Sequence, residues 1–555
     1  MVDNYFIADQ FSLLAKLMDM HGENSFRSRT YSNAAFAIEK ITEPLAELPE
    51  EKLFTIKGIG DSIGKKIIEM RETGRLRTLE EYIEKTPPGV LEMLNIKGLG
   101  PKKIATIWKE MGIESVGELL YACNENRLLL YKGFGEKTQL NVQESIEFYM
   151  RNQGSHLYSE TEAYARAIDQ TLKKQFPDRL FALTGPFRRQ AEIIDRLEWV
   201  TTANQTELLA FLGSNNYTTQ ETLDDIISVL GPENVAIKFY ITTEAEFYST
   251  LFSTTGNKEF VQACQALPGW NNNCRSEEEL FTAMQLPYIP PAMREDARIL
   301  NKKIPSTLIQ PGDIRGIIHS HSQWSDGLHS IEDMAKACID KGMEYLVISD
   351  HSKTAVYAKG LTEERIREQH AHIDELNKKL KPFKIFKSIE CDILNDGALD
   401  YSNNVLSTFD LVIASVHQNL KMSEDKAMMR LLNAIRNPYT TILGHMTGRL
   451  LLSRPGYPVD HVSIIDACVE NQVVIELNAH PRRLDIDWRW IDYALEKGVL
   501  ISIDPDAHSV DAFDDCRYGV LAAQKGGLTK EQNLSSFTQA QLEDYLQKRR
   551  AAKGI

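Results

Sequence analysis

The stretch "IIHSHSQWSDGLHS", residues 317–330, places two histidines one residue apart at the end of a short apolar run, followed by an aspartate and a third histidine. Of the 13 histidines in the chain, only His21 and His156 precede residue 319, so the clustering needs a cause. Seven apolar runs follow residue 314: "RGIIHSH", "EYLVISDH", "KIFKSIE", "DLVIASVH", "YTTILGH", "QVVIELN" and "VLISIDPDAH". Each ends in a group that binds metal or phosphate: His319 and His321, His351, Glu390, His417, His445, Asn478, then Asp506 and His508. Amphipathic helical segments separate the runs, which is the pattern of a parallel α/β fold. Parallel strands align their C-terminal ends on one side of a sheet or barrel, so these groups converge on one pocket. Barrel closure brings the first and last runs together. Alternate residues of a strand share a face, so His319 with His321 and Asp506 with His508 form two chelating pairs.

A lone strand-end histidine is ordinarily a satisfied core or loop residue. His329, His370, His372, His461 and His480 are assigned to that class, with His370 and His372 facing solvent from the charged helix "EERIREQHAHIDELNKK". The joint pattern of the others reads as a metal site. Imidazole and carboxylate without thiolate suit zinc, manganese or iron. The set is too large for one ion, and a bridging carboxylate such as Glu390 suits a cluster of two or three divalent ions. Such clusters activate water and hold phosphate oxygens, which points to phosphate-ester hydrolysis.

The rest of the composition bounds the reading. A chain of 555 residues exceeds one ordinary core, so two to four domains are expected. Apolar content of 43% and charged content of 25% describe a soluble globular protein. No apolar run approaches the roughly 18 residues of a membrane span. The first residues, "MVDNYFIADQ", are acidic where a signal peptide is basic, so a cytoplasmic location is expected. The seven cysteines include no CxxC pair and read as reduced thiols. A net charge of −15 argues against coating nucleic acid by bulk electrostatics, while leaving local phosphate contacts open.

Such contacts have a source in the first 150 residues, which read as helical and contain a repeat. "TIKGIGDSIGKKIIEM" (55–70), "LNIKGLGPKKIATIWKEM" (94–111) and "LYKGFGEKTQLNVQESIEF" (130–148) each run from Lys-Gly-apolar-Gly into an amphipathic helix. Glycine permits the tight turn, and the helix start presents free N–H groups that seat a phosphate without net positive charge. These repeats resemble helix-hairpin-helix motifs, which grip the DNA backbone without reading sequence. The DNA-binding candidates are Gly58, Gly60, Gly98, Gly100, Gly133 and Gly135; a purely structural helical repeat is the alternative.

The strand ends resemble a PHP domain, the polymerase-and-histidinol-phosphatase family of distorted (β/α)7 barrels with a trinuclear metal site. The resemblance implies nine ligands: His319 and His321, Asp326 of "SDG", His351 of "SDH", Glu390 of "IECD", His417 of "ASVH", His445 of "GHMTGRL", and Asp506 with His508 of "DAH". Arg449 and Asn478, just past strand ends, are candidates for substrate phosphate, with a structural role as the alternative.

Helix-hairpin-helix repeats, an α/β unit and a PHP domain together resemble the bacterial family X DNA polymerases. "NSFRSRTYSNAAFAIE" (24–39), "TTGNKEF" (254–260) and "YIPPAMRED" (288–296) resemble further landmarks of that family. In "LTGPFRRQAEIIDRLEWV" (183–200), Gly185, Phe187, Arg188, Arg189 and Glu192 fit the polymerase pattern. The positions of its three catalytic aspartates hold Arg196, Glu198 and Lys238, and Asp195 is one residue out of phase. Two cations among three expected carboxylates repel the Mg²⁺ pair that nucleotidyl transfer needs, so polymerase activity is expected to be absent or weak.

The expected organisation is a helical helix-hairpin-helix domain at 1–152, a degenerate nucleotidyltransferase-like α/β core at 153–300, a linker at 301–313 and a PHP barrel at 314–555 that ends in a helix and a frayed tail. The expected function is that of a monomeric, metal-dependent 3′–5′ exonuclease in DNA repair, acting at gapped, nicked or free 3′ ends. A 3′-phosphatase or abasic-site endonuclease activity is plausible from the family. The alternatives are an active repair polymerase with PHP proofreading, a non-enzymatic DNA-end-binding scaffold, and a small-molecule phosphatase of the histidinol-phosphatase type.

Overall fold

The computed structural model describes residues 2–124, 127–151, 154–232, 234–452 and 455–555. It forms two compact units, Met1–Gln153 and Gly154–Ile555.

The first unit is helical among its described residues. Its opening helix, Asn4–His21, begins where the Asp3 carboxylate accepts the Phe6 N–H at 2.7 Å and ends at Gly22 in the left-handed conformation. In each repeat the first glycine has positive φ, 99° at Gly58, 86° at Gly98 and 95° at Gly133. The residue between the glycines, Ile59, Leu99 or Phe134, is buried and fastens the turn to the core. Gly60 and Gly100 then cap the helices Asp61–Thr73 and Pro101–Lys109, and all six glycines are exposed.

In the second unit the helix Tyr158–Gln175 leads into a mixed sheet of β1 (Phe181–Thr184), β2 (Leu197–Thr201), β3 (Thr218–Thr222), β4 (Ile226–Leu230) and β5 (Ala236–Ile241). Its spatial order is β1-β2-β5-β4-β3, with only the β2–β5 pairing parallel. Trp199 and Phe239 stack at 5.7 Å on one face of those two strands.

The barrel strands follow: β6 (Gly316–Ile317), β7 (Tyr345–Ile348), β8 (Lys384–Lys387), β9 (Glu390–Asp392), β10 (Ile413–Ser415), β11 (Ile442–Leu443), β12 (Val474–Asn478) and β13 (Ile501–Asp504). All pair in parallel with their chain neighbours, as β6-β7-β8 and β9-β10-β11-β12-β13. The run "KIFKSIE" thus divides into β8 and β9 at Ser388 and Ile389. A bridge from His351 to Glu390 joins the two sheets, and a bridge from Ser320 to Ala507 closes the ring. Val347, Phe386, Ile413, Ile442 and Val474 form one buried cluster with Leu542 and Leu546 of the C-terminal helix Gln539–Lys553. That helix runs to a left-handed Gly554 cap, so the expected terminal helix extends through the stretch expected to fray.

The stretch 301–313 is likewise no loose linker. Ile309 is fully buried in the barrel core, its N–H donates to the Leu528 carbonyl at 2.9 Å, and its carbonyl accepts from Gln524 Nε2 at 2.7 Å. Apolar burial and two backbone bonds fix a segment that proline and turn residues alone suggested was free.

Candidate metal centre

The centre is built around Glu390, which is fully buried at the start of β9. Its Oε1 lies 3.0 Å from His417 Nε2, 3.0 Å from His445 Nε2 and 3.4 Å from His319 Nε2. Its Oε2 lies 2.9 Å from His351 Nδ1 and 3.6 Å from His321 Nε2. Asp506 closes the other side, with Oδ1 at 3.0 Å from His321 Nε2 and 3.5 Å from His319 Nε2. Asp326 Oδ2 lies 3.6 Å from His351 Nε2 and 3.5 Å from His508 Nε2. All nine expected ligands therefore meet.

Three ligand groups can be drawn among the described residues: His321, Asp326, His351 and His508; His319, His321 and Asp506; and His351, Glu390 and His417. His321 and His351 each belong to two groups, so the sites share walls, as in a multinuclear centre. Three buried nitrogens, His319 Nε2, His321 Nδ1 and His445 Nδ1, have no hydrogen-bond partner among the described residues. Orphaned imidazole nitrogens among oxygen donors fit divalent cations, since burying them unpartnered is costly.

The strand-alternation argument is corrected for both chelating pairs: His319 and His321 already lie beyond β6, which ends at Ile317. Asp506 and His508 lie beyond β13, and Asp506 has φ of +53°, so a left-handed turn rather than strand alternation aims them. His508 reaches the site by stacking on His321, with ring centroids 4.3 Å apart.

The electrostatics separate neighbouring imidazoles. Burial opposes charge on His319, but Asp506, Glu476 and Glu390 outweigh it and raise its pKa well above the ordinary value. Burial also opposes charge on His351 and His417, where nearby carboxylates, Glu390 foremost, raise the pKa to about 10 and about 9. Burial and the charges of His508 and His351 push His321 down to about 3. Carboxylates thus favour positive charge at His319, His351 and His417, the charge that bound divalent ions would supply.

Several supporting residues were not expected. Glu476 accepts from His319 Nδ1 and from the His445 N–H, both at 2.5 Å. Asp392 holds His417 Nδ1 at 2.5 Å. Asp350 gathers Ser322, Ser325 and Gln369, fixing the loop that carries Asp326. Each acid stands within an apolar run or beside a ligand in a stretch already picked out, which is the signal that could have revealed it. Asn478 is buried and donates to Asp506 Oδ2 at 3.2 Å, so it orients a ligand. His370, expected in solvent, turns inward against Phe409 with ring centroids 4.9 Å apart.

Comparison with known proteins follows the same divisions. Residues 2–76 match the helix-hairpin-helix domain family, residues 90–146 a SAM-like helix-hairpin-helix tandem, and residues 318–480 the PHP domain. The DNA polymerase/3′-5′ exonuclease PolX of Bacillus subtilis (strain 168) is 32% identical over 558 residues, covering 96% of this chain and 98% of that protein. The chain belongs to the PolX family. A probable phosphatase of Thermoanaerobacter sp. (strain X514) is 26% identical over 249 residues, 42% of this chain and 96% of its own length. The probable phosphatase YcdX of Escherichia coli O127:H6 is 26% identical over 219 residues, 36% of this chain and 82% of its own length.

The positions that the sequence matches to the polymerase aspartates lie side by side: Arg196 pairs with Glu198, and Lys238 makes a cation–π contact. Glu198 pairs in register with Lys238 across β2 and β5. Glu198 is buried, accepts from Arg196 Nε at 2.6 Å and from the Tyr240 hydroxyl at 3.2 Å, and lies against Gly185. Lys238 Nζ stands over the Tyr240 ring at 4.7 Å. Asp195 and Arg196 lie between strands, not on one as the phase argument assumed, and Asp195 accepts from Ser155 Oγ at 2.6 Å. Arg188 is bound to Glu277 at 2.6 Å and Arg189 to Glu295 at 3.1 Å.

Arg449 is also committed elsewhere, contrary to its candidacy for substrate phosphate. It donates to Glu192 at 2.5 Å, to Asp487 at 2.6 Å, and to the carbonyls of Arg483 and Leu484. A guanidinium with its fork filled on all sides is a structural clamp.

Proposed function

We propose that this PolX-family chain is a metal-dependent phosphodiesterase that shortens DNA from 3′ ends in DNA repair, using two or three Mn, Zn or Fe ions. The carrying observation is the gathering of nine imidazoles and carboxylates, with five imidazoles around Glu390 and eight of the nine in overlapping ligand groups. Divalent ions held there would polarise phosphoryl oxygens and lower the pKa of water. The side chains define the rest. Glu476 and Asp392 hold His319 and His417 with their other nitrogens aimed at the centre. Asp506 is oriented by Asn478. The helix-hairpin-helix unit, residues 1–152 in our division, grips the DNA backbone through the turns at Gly58, Gly60, Gly98, Gly100, Gly133 and Gly135. The α/β core at 153–300 carries the barrel at 314–555 and contributes little or no polymerase activity, because Arg196 already neutralises Glu198. The relative's name, with its 3′-5′ exonuclease, supports the reading. The substrates are gapped or nicked duplexes, and the protein works as a cytoplasmic monomer.

The test uses purified full-length protein with Mn²⁺ and a 5′-labelled gapped duplex, with and without nucleotides. Shortening that His319→Ala abolishes is expected. Nucleotide-dependent lengthening would instead support the polymerase reading that the relative's name also carries. Tight binding without either product would support a scaffold.

A further inference from the structure

We propose that Arg483 grips the substrate phosphate beside the metal ligands, and that Glu192 of the polymerase-like core holds Arg483 in place through Arg449. The proposal rests on the hydrolase reading above. The centre is ringed by Glu390, Asp506, Asp326, Glu476 and Asp392, so an incoming phosphate anion needs cationic donors besides any ions. The neighbouring cations are spent. Arg449 is filled as described, Arg482 pairs with Glu160 at 3.0 Å, Lys353 with Glu363 at 2.7 Å, and Arg365 donates to the carbonyls of Lys359 and Trp324.

Arg483 differs from all of these. Its Nε stands 3.7 Å from Asp506 Oδ2, beyond hydrogen-bond range, and its side chain makes no hydrogen bond among the described residues. That side chain is 22% exposed, so the fork is open to solvent while leaning on a ligand of the centre. A planar guanidinium with free N–H groups matches two phosphate oxygens at once. Arg483 keeps its proton throughout; it orients the phosphate and takes part in no bond change.

The loop that carries it is fastened from outside the barrel. The Arg483 N–H donates to the His480 carbonyl at 2.7 Å, and its own carbonyl accepts from Arg449 Nε at 2.9 Å. The next residue, Leu484, has φ of +43°, an unfavourable conformation for a branched side chain, and its carbonyl is a second acceptor for Arg449. Arg449 in turn binds Glu192. One guanidinium thus ties the phosphate-facing loop to the core, which makes Glu192 a positioning residue.

The experiment uses full-length protein loaded with Mn²⁺, bis(p-nitrophenyl) phosphate as substrate and inorganic phosphate as a competing ligand. For Arg483→Gln we expect KM to rise about tenfold to a hundredfold, the scale of a lost charge-assisted pair, with Mn²⁺ content unchanged. The inhibition constant of inorganic phosphate should rise in parallel, and Arg483→Lys or added guanidinium should restore part of the loss. Glu192→Gln should raise KM less, and the double variant should match Arg483→Gln alone, as expected for groups acting in series. A wild-type KM and wild-type phosphate affinity in Arg483→Gln would overturn the proposal. So would a loss explained by lower Mn²⁺ content, which would make Arg483 a prop for Asp506. Should the wild type prove inert toward the diester, the hydrolase reading falls, while Mn²⁺-dependent binding of phosphate by wild type and variant still decides the role of Arg483.

Discussion

Glu476 is a fully buried carboxylate that holds two ligand residues at once, His319 through Nδ1 and His445 through its backbone N–H. Fixing the far nitrogen of a ligating imidazole sets which nitrogen is free for the metal, and losing such a partner typically costs about 10- to 100-fold in metal affinity. Glu476→Gln keeps the shape and removes the charge. Its Mn²⁺ affinity should fall by about that factor, read by metal titration of the stripped protein, with folding retained by circular dichroism. Unchanged affinity would mean that Glu476 only fills space. The ligands themselves were legible because each closes an apolar run, where a polar group needs a reason. Glu476 is less legible because it stands inside its run, two residues before Asn478, where no terminal position marks it. Its burial was nonetheless a signal, since a carboxylate among β-branched neighbours must find a partner. The role of Arg449 is illegible for a different reason. Proximity to a strand end says nothing about whether a guanidinium is already filled, and its partner Glu192 lies 257 residues away in sequence.

At the scale of elements, periodicity located the barrel strands and failed on which helix faces are wet. The helix Glu363–Lys379 carries so many charges that His370 read as exposed. Its inner stripe is Ile366, Gln369, Ile373 and Leu376, and His370 leans into the edge of that stripe against Phe409. Burial, with Lys387 nearby, lowers the His370 pKa to about 4, and Asp374 offsets this only in part. The unfolded chain takes up this proton near 6.5 and the folded chain near about 4. In that window the unfolded state binds more protons, so this residue's contribution is intact above 6.5 and is lost as pH falls toward 4. His370→Leu should therefore lose less stability than wild type between pH 7.5 and pH 5, read as urea midpoints, on the roughly 1 kcal/mol scale of a pKa shift. Parallel curves for the two proteins would rule out an uncharged, inward His370. The elements hardest to read were the short ones. β6 and β11 have two residues each, and their ligands lie in the loops beyond, where φ values such as that of Asp506 have no sequence period.

At the scale of the whole molecule, the chain divides after Gln153, and the polymerase-like core and the barrel share one unit. Polar links cross between the two, namely Arg449 with Glu192, Arg517 with Glu162, and buried Lys525 with Glu295 and the Arg189 carbonyl, and Tyr518 and Leu521 pack on the core. Sequence patterning separated core from barrel because it reports periodicity, whereas these links join residues hundreds of positions apart. The division allows a clean cut. A chain of residues 154–555 keeps every ligand of the centre and every residue of the clamp, but none of the three glycine hairpins. It should hydrolyse bis(p-nitrophenyl) phosphate with Mn²⁺ at a kcat/KM within about threefold of full length, since the centre is intact. Its affinity for a gapped duplex should drop by about tenfold or more. The plot of log affinity against log salt should also flatten, by about 0.9 for each DNA phosphate that the shortened chain no longer neutralises. Equal affinity and equal salt slope in the two chains would place the grip on DNA outside the hairpins. Loss of diester hydrolysis on truncation, with Mn²⁺ content preserved, would show that the helical unit contributes to the centre itself.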